Sequence, residues 1–218
     1  MKQWQKRKNQ YSVVKNTTIP LLKSMGIKRI NYLILTHGDY DHAGDTINLI
    51  ENFKVDKIYL NQGNFNYLEK KIITSFKNTY QVKEGQIFYL GDLVLIELNK
   101  EFSDENDSSS VFLLIYNDVK VLLTGDASIK SEKYILDNYD IGKINILKLG
   151  HHGSKTSTSN LLLKSTSPDL ALISCGYNNK FKHPNKETLK KLNKYRISYL
   201  RTDFEGTITI DLNTLKIK

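Results

Sequence analysis

The 218-residue chain holds a single cysteine, three prolines, one tryptophan and fewer acidic than basic side chains. With Cys175 alone, neither an internal disulfide framework nor a cysteine-based metal site can form. No apolar run approaches the roughly 20 residues of a membrane span. The start, Met1 to Gln10, is basic and polar with no apolar region behind it, unlike a secretory signal. These absences predict a soluble chain, cytoplasmic or peripheral to the cell membrane. The shortage of acid leaves a formal net charge of +9, which favours a polyanionic partner or substrate. The length suits one domain with a sizeable core, predicted here as a basic irregular segment over 1–18 and a folded domain over 19–218.

Apolar runs and breakers predict the elements. Pro20 and Gly26 bracket a short helix over Ile19 to Met25. Continuous apolar runs at Asn31 to Thr36, Lys57 to Leu60, Val111 to Tyr116, Val119 to Leu123, Ile144 to Leu149, Leu170 to Ser174 and Ile197 to Leu200 read as strands buried on both faces. Helical patterns lie between several of them, at Gly44 to Phe53, Leu68 to Asn78, Ser131 to Tyr139, Ser159 to Lys164 and Lys186 to Tyr195. Gln86 to Leu90 and Leu93 to Leu98 read as a hairpin, followed by a loop from Asn99 to Ser110 that is too polar for a core. This loop is either a surface turn or a border of the functional site. The alternation of strands and helices makes the fold class α/β.

The five histidines fall in three short polar segments, each behind an apolar run. His37 and His42 lie in Thr36-His37-Gly38-Asp39-Tyr40-Asp41-His42-Ala43-Gly44-Asp45, His151 and His152 in Gly150-His151-His152-Gly153-Ser154, and His183 in Lys182-His183-Pro184. Imidazoles interleaved with carboxylates at this density suit more than one divalent ion. An EF-hand reading of the Asp-rich turn fails, because Ala43 stands where a ligand is needed and no glutamate closes the loop. Capping by Asp39 and Asp45 accounts for those two residues and leaves both histidines unexplained. A phosphate loop at Gly150 to Thr156 fails on glycine spacing and on Ser154 standing before Lys155. The chain therefore reads as a metal-dependent hydrolase.

Thr36 to Gly44 resembles the signature loop of the metallo-β-lactamase superfamily, in the variant with aspartate for the second histidine. In order, Leu122-Leu123-Thr124-Gly125-Asp126, Leu147 to Ser157, Lys182-His183-Pro184 and Leu200 to Gly206 resemble the carboxyl-terminal hydrolase domain of ComEC competence proteins, which take part in DNA uptake. The resemblance covers roughly Ile19 to Ile210 and implies a layered αββα sandwich. It implies that His37 and Asp39 serve a first metal ion, Asp41 and His42 a second, that Asp126 bridges them, and that His152, with His151 as the alternative, completes the second centre. Such a pair holds a hydroxide nucleophile between ions about 3.5 to 4 Å apart, which assigns Asp41, Asp126 and His183 to catalysis. The cofactors expected are two divalent ions, manganese or zinc. His151, Ser154, Lys155, His183, Arg201 and the loop residues Asn106 and Ser109 are the candidate substrate contacts.

The reaction implied is phosphodiester hydrolysis, with DNA as the expected substrate in competence-related uptake. A smaller diester or phosphorylcholine ester is the alternative substrate, and a non-catalytic DNA-binding remnant the alternative class. One departure stands out: no Asp-Val-Gly-Gln-Gly-Asp-like segment precedes Ile19, so the first amino-terminal strands of the family are expected to be missing. That expectation leaves a sheet edge for another chain, a membrane channel protein included, to cover.

Overall fold

In a computed structural model, which describes residues 12–217, the chain resolves into two units. The first runs to Leu60 and resumes over Asn64–Gln81; the second comprises Asn61–Gly63 and everything from Val82 onward. Of the segment expected to be irregular, residues 1–11 lie outside the described residues, while Val14–Thr18 is helical with π-type winding. Asp45 explains that order: the Ser12 hydroxyl, the Val14 N–H and the Asn48 amide all donate to its carboxylate. Burial opposes ionisation there, but these donors and Lys15 hold the Asp45 carboxyl below the usual carboxylate range.

The first unit continues with α1 (Ile19–Ser24), which has Pro20 in its first turn and ends before Gly26 at φ +73°. Then come β1 (Arg29–Ile34), α2 (Tyr40–Ala43), α3 (Thr46–Asn52), β2 (Lys54–Leu60), α4 (Tyr67–Ser75) and β3 (Thr79–Gln81). The three strands form a parallel sheet in the order β1-β2-β3. Ile58, Leu60 and Ile72 are fully buried in its core with Ile19, Leu35, Leu49 and Phe53. Each is worth about 1.5–3 kcal/mol of transfer free energy.

One expectation fails in this unit: β1 is not buried on both faces, since Arg29, Asn31 and Tyr32 are exposed. The Lys57 ammonium lies 5.6 Å from the Tyr32 ring centre and 6.0 Å from that of Tyr80, with Tyr59 packed beside both rings, so amphipathic side chains cover that face. The helix expected over Gly44 to Phe53 is observed as α3, and a separate helical turn, Tyr40–Ala43, precedes it.

In the second unit, β4 (Ile87–Leu90), β5 (Leu93–Glu97), β6 (Phe112–Tyr116) and β7 (Val119–Leu123) form an antiparallel meander. Three further strands extend it: β8 (Ile146–Lys148) after α5 (Ile129–Asn138), β9 (Leu170–Ile173) after α6 (Asn160–Thr166), and β10 (Ser198–Arg201) after α7 (Lys186–Lys194). The result is a seven-stranded sheet in the order β10-β9-β8-β7-β6-β5-β4, with β7 to β10 parallel. Leu122, Leu147, Leu149, Ala171 and Ile173 meet Ile135, Leu162, Leu163 and Leu192 in one buried cluster. Ser128, Ser159 and Asn185 cap α5, α6 and α7 through their side-chain oxygens. After β10 the chain forms α8 (Thr202–Glu205) and a small hairpin, β11 (Ile210–Asp211) with β12 (Lys216–Ile217), which the sequence reading had not foreseen.

Because β7, β8, β9 and β10 run parallel, the segments after Leu123, Lys148, Ile173 and Arg201 all leave the same edge of the sheet. In open α/β sheets the carboxyl ends of parallel strands are where ligand-binding loops gather.

Candidate functional site

In the first unit, β1 ends at Ile34 and the chain turns through Thr36 and His37 into α2. His37 is fully buried, and its ring centre lies 4.1 Å from that of His42. The Thr36 hydroxyl reaches Nδ1 of both histidines at 3.2 Å, so one side chain orients the pair. His37 Nε2 lies 3.7 Å from Asp39 Oδ2. The turn is braced from below. Asn66 caps α4 and donates its amide to the Gly38 carbonyl at 2.8 Å, while Glu69 accepts from the Asn66 N–H at 2.8 Å. A Cβ on Gly38 would lie 2.3 Å from the Asn66 amide nitrogen, so only glycine allows this approach. His37, Asp39, Asp41 and His42 thus leave one short turn within one unit, Asp39 and Asp41 exposed and His37 buried.

In the second unit, Asp126 follows the Thr-Gly turn after β7 and is almost completely buried. Its Oδ2 lies 3.7 Å from His151 Nε2 and 3.8 Å from His152 Nε2. These separations are too long for direct hydrogen bonds, but they suit donors sharing one cation, since two atoms each about 2.0–2.2 Å from an ion lie roughly 3 to 4 Å apart. His151 and His152 hold consecutive left-handed conformations, φ 47° and 54°, which non-glycine residues adopt at a cost of order 1–3 kcal/mol each. The His152 Nδ1 atom is 2.7 Å from the Ser174 carbonyl. An imidazole held in this way presents its Nε2 lone pair, the arrangement usual for a metal-ligating histidine. His151 instead packs against the His183 ring, with centroids 5.7 Å apart. Burial, then the charges of His151 and His152, push the His183 imidazole below its ordinary pKa, with Asp126 opposing.

The loops that carry these groups are tightly tied. Gly150 and Gly153 frame the histidine turn, and a Cβ on Gly153 would lie 2.7 Å from the Cβ of Pro184. The Asn185 N–H donates to the Gly153 carbonyl at 2.9 Å, and the Ser157 hydroxyl to the Gly150 carbonyl at 2.7 Å. Lys148, in β8, donates its ammonium to the Leu149 carbonyl at 3.1 Å. Burial pushes that ammonium's pKa down, and Asp126 pushes it back up.

The loop from Asn99 to Ser110 is more buried than its polarity predicts. Polar as it is, Asp107, Ser108, Ser109 and Ser110 are buried. Asn99 donates to the Asp107 and Ser109 carbonyls at 2.7 and 2.8 Å, which ties the start of the loop to its end. Ser109, expected to touch substrate, is fully buried and accepts the Asp126 N–H on its hydroxyl at 3.2 Å, so it holds Asp126 from behind. Asn106 is half-buried in the same turn. Of the other expected substrate contacts, Ser154 is buried with its hydroxyl 3.0 Å from that of Thr156, and Lys155 is exposed. Arg201 is engaged by Asp203 through two bonds of 3.0 and 2.6 Å. The bracing groups Thr36, Asn66, Glu69, Lys148 and Ser174 escaped the sequence reading. The Asn-x-x-Glu pattern at Asn66 and the lysine inside the apolar run Ile-Leu-Lys-Leu were the signals available.

A family model described as the metallo-beta-lactamase superfamily matches residues 14–177. Among curated proteins, ComE operon protein 3 of Bacillus subtilis (strain 168) is 32% identical over 213 residues, 94% of this chain and 27% of that protein. Competence protein ComA of Neisseria gonorrhoeae is 30% identical over 206 residues, 92% of this chain and 28% of that protein. The chain thus spans about a quarter of the length of the curated relatives it matches. Among solved structures, the metallo-beta-lactamase fold protein YhfI from Bacillus subtilis superposes with a TM-score of 0.57 at 13% identity, covering 88% of this chain and 81% of that one. CmlA, a diiron beta-hydroxylase from Streptomyces venezuelae, gives 0.58 at 13% identity, covering 80% and 44%. At such identities the likeness shows the fold alone.

Proposed function

Since the chain belongs to the metallo-β-lactamase superfamily, we propose that it is a metal-dependent phosphodiesterase that hydrolyses DNA. At the coarser level it is a superfamily hydrolase with competence-protein relatives, and among the described residues no helix is long and apolar enough to cross a membrane. We assign His37, Asp39, Asp41, His42, Asp126 and His152 as ligands of two divalent ions, manganese or zinc. Two ions held by such donors lower the pKa of a coordinated water toward about 7 and stabilise the charge that develops on phosphate.

The observation that carries the reading is the cluster of Asp126, His151, His152 and His183 at the carboxyl ends of parallel strands, with the His152 ring fixed by the Ser174 carbonyl. Asp126, buried and held at its backbone by Ser109, has the rigidity a shared ligand needs. We assign His183 and His151, neighbours of that carboxylate, as donors to non-bridging phosphate oxygens, and the exposed Lys155 as a source of positive charge. The formal charge of +9 favours a polyanion over a β-lactam or another small neutral substrate.

The test is hydrolysis of labelled single- and double-stranded DNA by the full chain with manganese or zinc, beside an Asp126→Ala, His152→Ala double variant, with bound metal counted in both. Cleavage and close to two equivalents of metal in the parent, both lost in a folded variant, is the expected result. A folded, metal-loaded parent that leaves DNA intact would refute the assignment of substrate.

A further inference from the structure

Beyond the metal ligands, a row of rings leads outward from Asp126 within the second unit. His151 lies beside Asp126, His183 lies 5.7 Å from His151, and Phe181 stacks on His183 at 5.8 Å with an interplanar angle of 18°. The Lys180 ammonium lies 4.6 Å from the centre of the Phe181 ring. Phe181 is nevertheless 64% exposed and Tyr177, in the same loop, 81% exposed. Both rings therefore present faces to solvent in the loop that carries His183.

The loop that bears them is built rather than loose. Asn179 accepts the His183 N–H at 2.9 Å and donates to the carbonyls of Gly176 and His183 at 3.0 and 2.6 Å. Its far end is anchored by Asn185 to the Gly153 carbonyl, in the histidine turn itself. Between Gly176 and Pro184 the sequence is Gly-Tyr-Asn-Asn-Lys-Phe-Lys-His-Pro, with two exposed aromatic rings, two lysines, no carboxylate and no aliphatic side chain. An apolar protein partner would find nothing aliphatic to bury here. A strand of alternating flat bases and phosphates would find a ring for the one and ammonium groups for the other, which is how proteins hold single-stranded nucleic acid.

We propose that Phe181, with Lys180 and Lys182, is a stacking platform that receives an unpaired base of single-stranded DNA and leads the adjoining phosphate toward His183 and Asp126. The proposal rests on the nuclease reading above for its choice of DNA and makes the preferred substrate single-stranded. In a duplex the base faces are occupied by their stacked neighbours, so Phe181 would contribute little.

The experiment is fluorescence anisotropy of a labelled oligothymidylate, the same strand with abasic sugars, and a duplex, on the full chain and its Phe181→Ala and Phe181→Trp variants. Hydrolysis of the same DNAs is followed in parallel. Loss of one stacked base predicts roughly tenfold weaker binding of oligothymidylate by Phe181→Ala. Binding of the abasic strand and duplex should change less than about twofold, and Phe181→Trp should bind like the parent. Equal binding of oligothymidylate by parent and Phe181→Ala, or an equal loss on the abasic strand, would overturn the platform. The nuclease reading fails separately, if the parent shows this binding pattern and cleaves none of the DNAs.

Discussion

Glu97 joins the two ends of the loop whose Ser109 accepts the Asp126 N–H, and its proton is open to a direct test. It is fully buried at the end of β5, where Oε1 accepts the N–H groups of Asn99 and Val111, both at 3.0 Å. Burial raises its pKa from 4.5 to about 8, against the opposing hydrogen bonds of Val111, Asn99 and Ser110 and with help from Glu84. Between those two values the folded chain keeps a proton that the unfolded chain has lost. The stabilisation is therefore fully present below about pH 4.5 and is lost as the pH rises toward about 8, with a limiting slope of about 1.4 kcal/mol per unit. The whole interval would amount to about 5 kcal/mol; relaxation around a buried charge reduces this to about 2–4 kcal/mol. Glu97→Gln retains the accepting oxygen and removes the titration. Urea unfolding of parent and variant from about pH 5 to 9, with excess chelator so that bound metal plays no part, gives the stability difference at each pH. The expected result is that the parent loses about 2–4 kcal/mol relative to the variant across this range and that the difference is flat above about pH 8.5. Parallel stability curves would show that Glu97 is ionised in the folded chain and would refute the reasoning.

Gly153→Ala places a methyl group 2.7 Å from the Pro184 Cβ at a backbone φ of +80°, and a loss of about 2–4 kcal/mol is expected in the same unfolding assay. A smaller loss than about 1 kcal/mol would mean that the turn at His151 and His152 does not depend on this contact. Ser109→Ala strands the buried Asp126 N–H, with an expected cost of about 1–3 kcal/mol and weaker metal retention in equilibrium dialysis. Unchanged stability and unchanged metal content would remove Ser109 from the support of Asp126.

The α/β class, the helices α1 and α3 to α7, and most strands were legible because apolar periodicity and capping are local. The short pieces were not. β3 is three residues long and exists because it pairs with β2, and β11 and β12 exist through each other. The reading of β1 as buried on both faces failed because an apolar run does not reveal whether a second layer lies over it. Here lysine stems and tyrosine rings cover that face instead. Of the two readings of the polar loop after β5, a surface turn and a border of the site, the Ser109 contact with the Asp126 N–H favours the second. Its burial rests on bonds from the Asn99 amide and the Ser108 hydroxyl to main-chain groups, which have no signature in composition.

What the sequence by itself determined is the chemistry on offer: five histidines in three segments, carboxylates beside them, a basic chain without thiol pairs, and apolar runs spaced to bring those segments to strand ends. Ligand identity is carried by residue type, so it survives without coordinates. The tertiary structure alone decided which nitrogen the His152 ring presents, that Ser109 faces the backbone of Asp126 rather than solvent, and that Phe181 stands exposed beside His183. Those are matters of orientation and burial, set by contacts between residues far apart in the chain, and no local pattern encodes them.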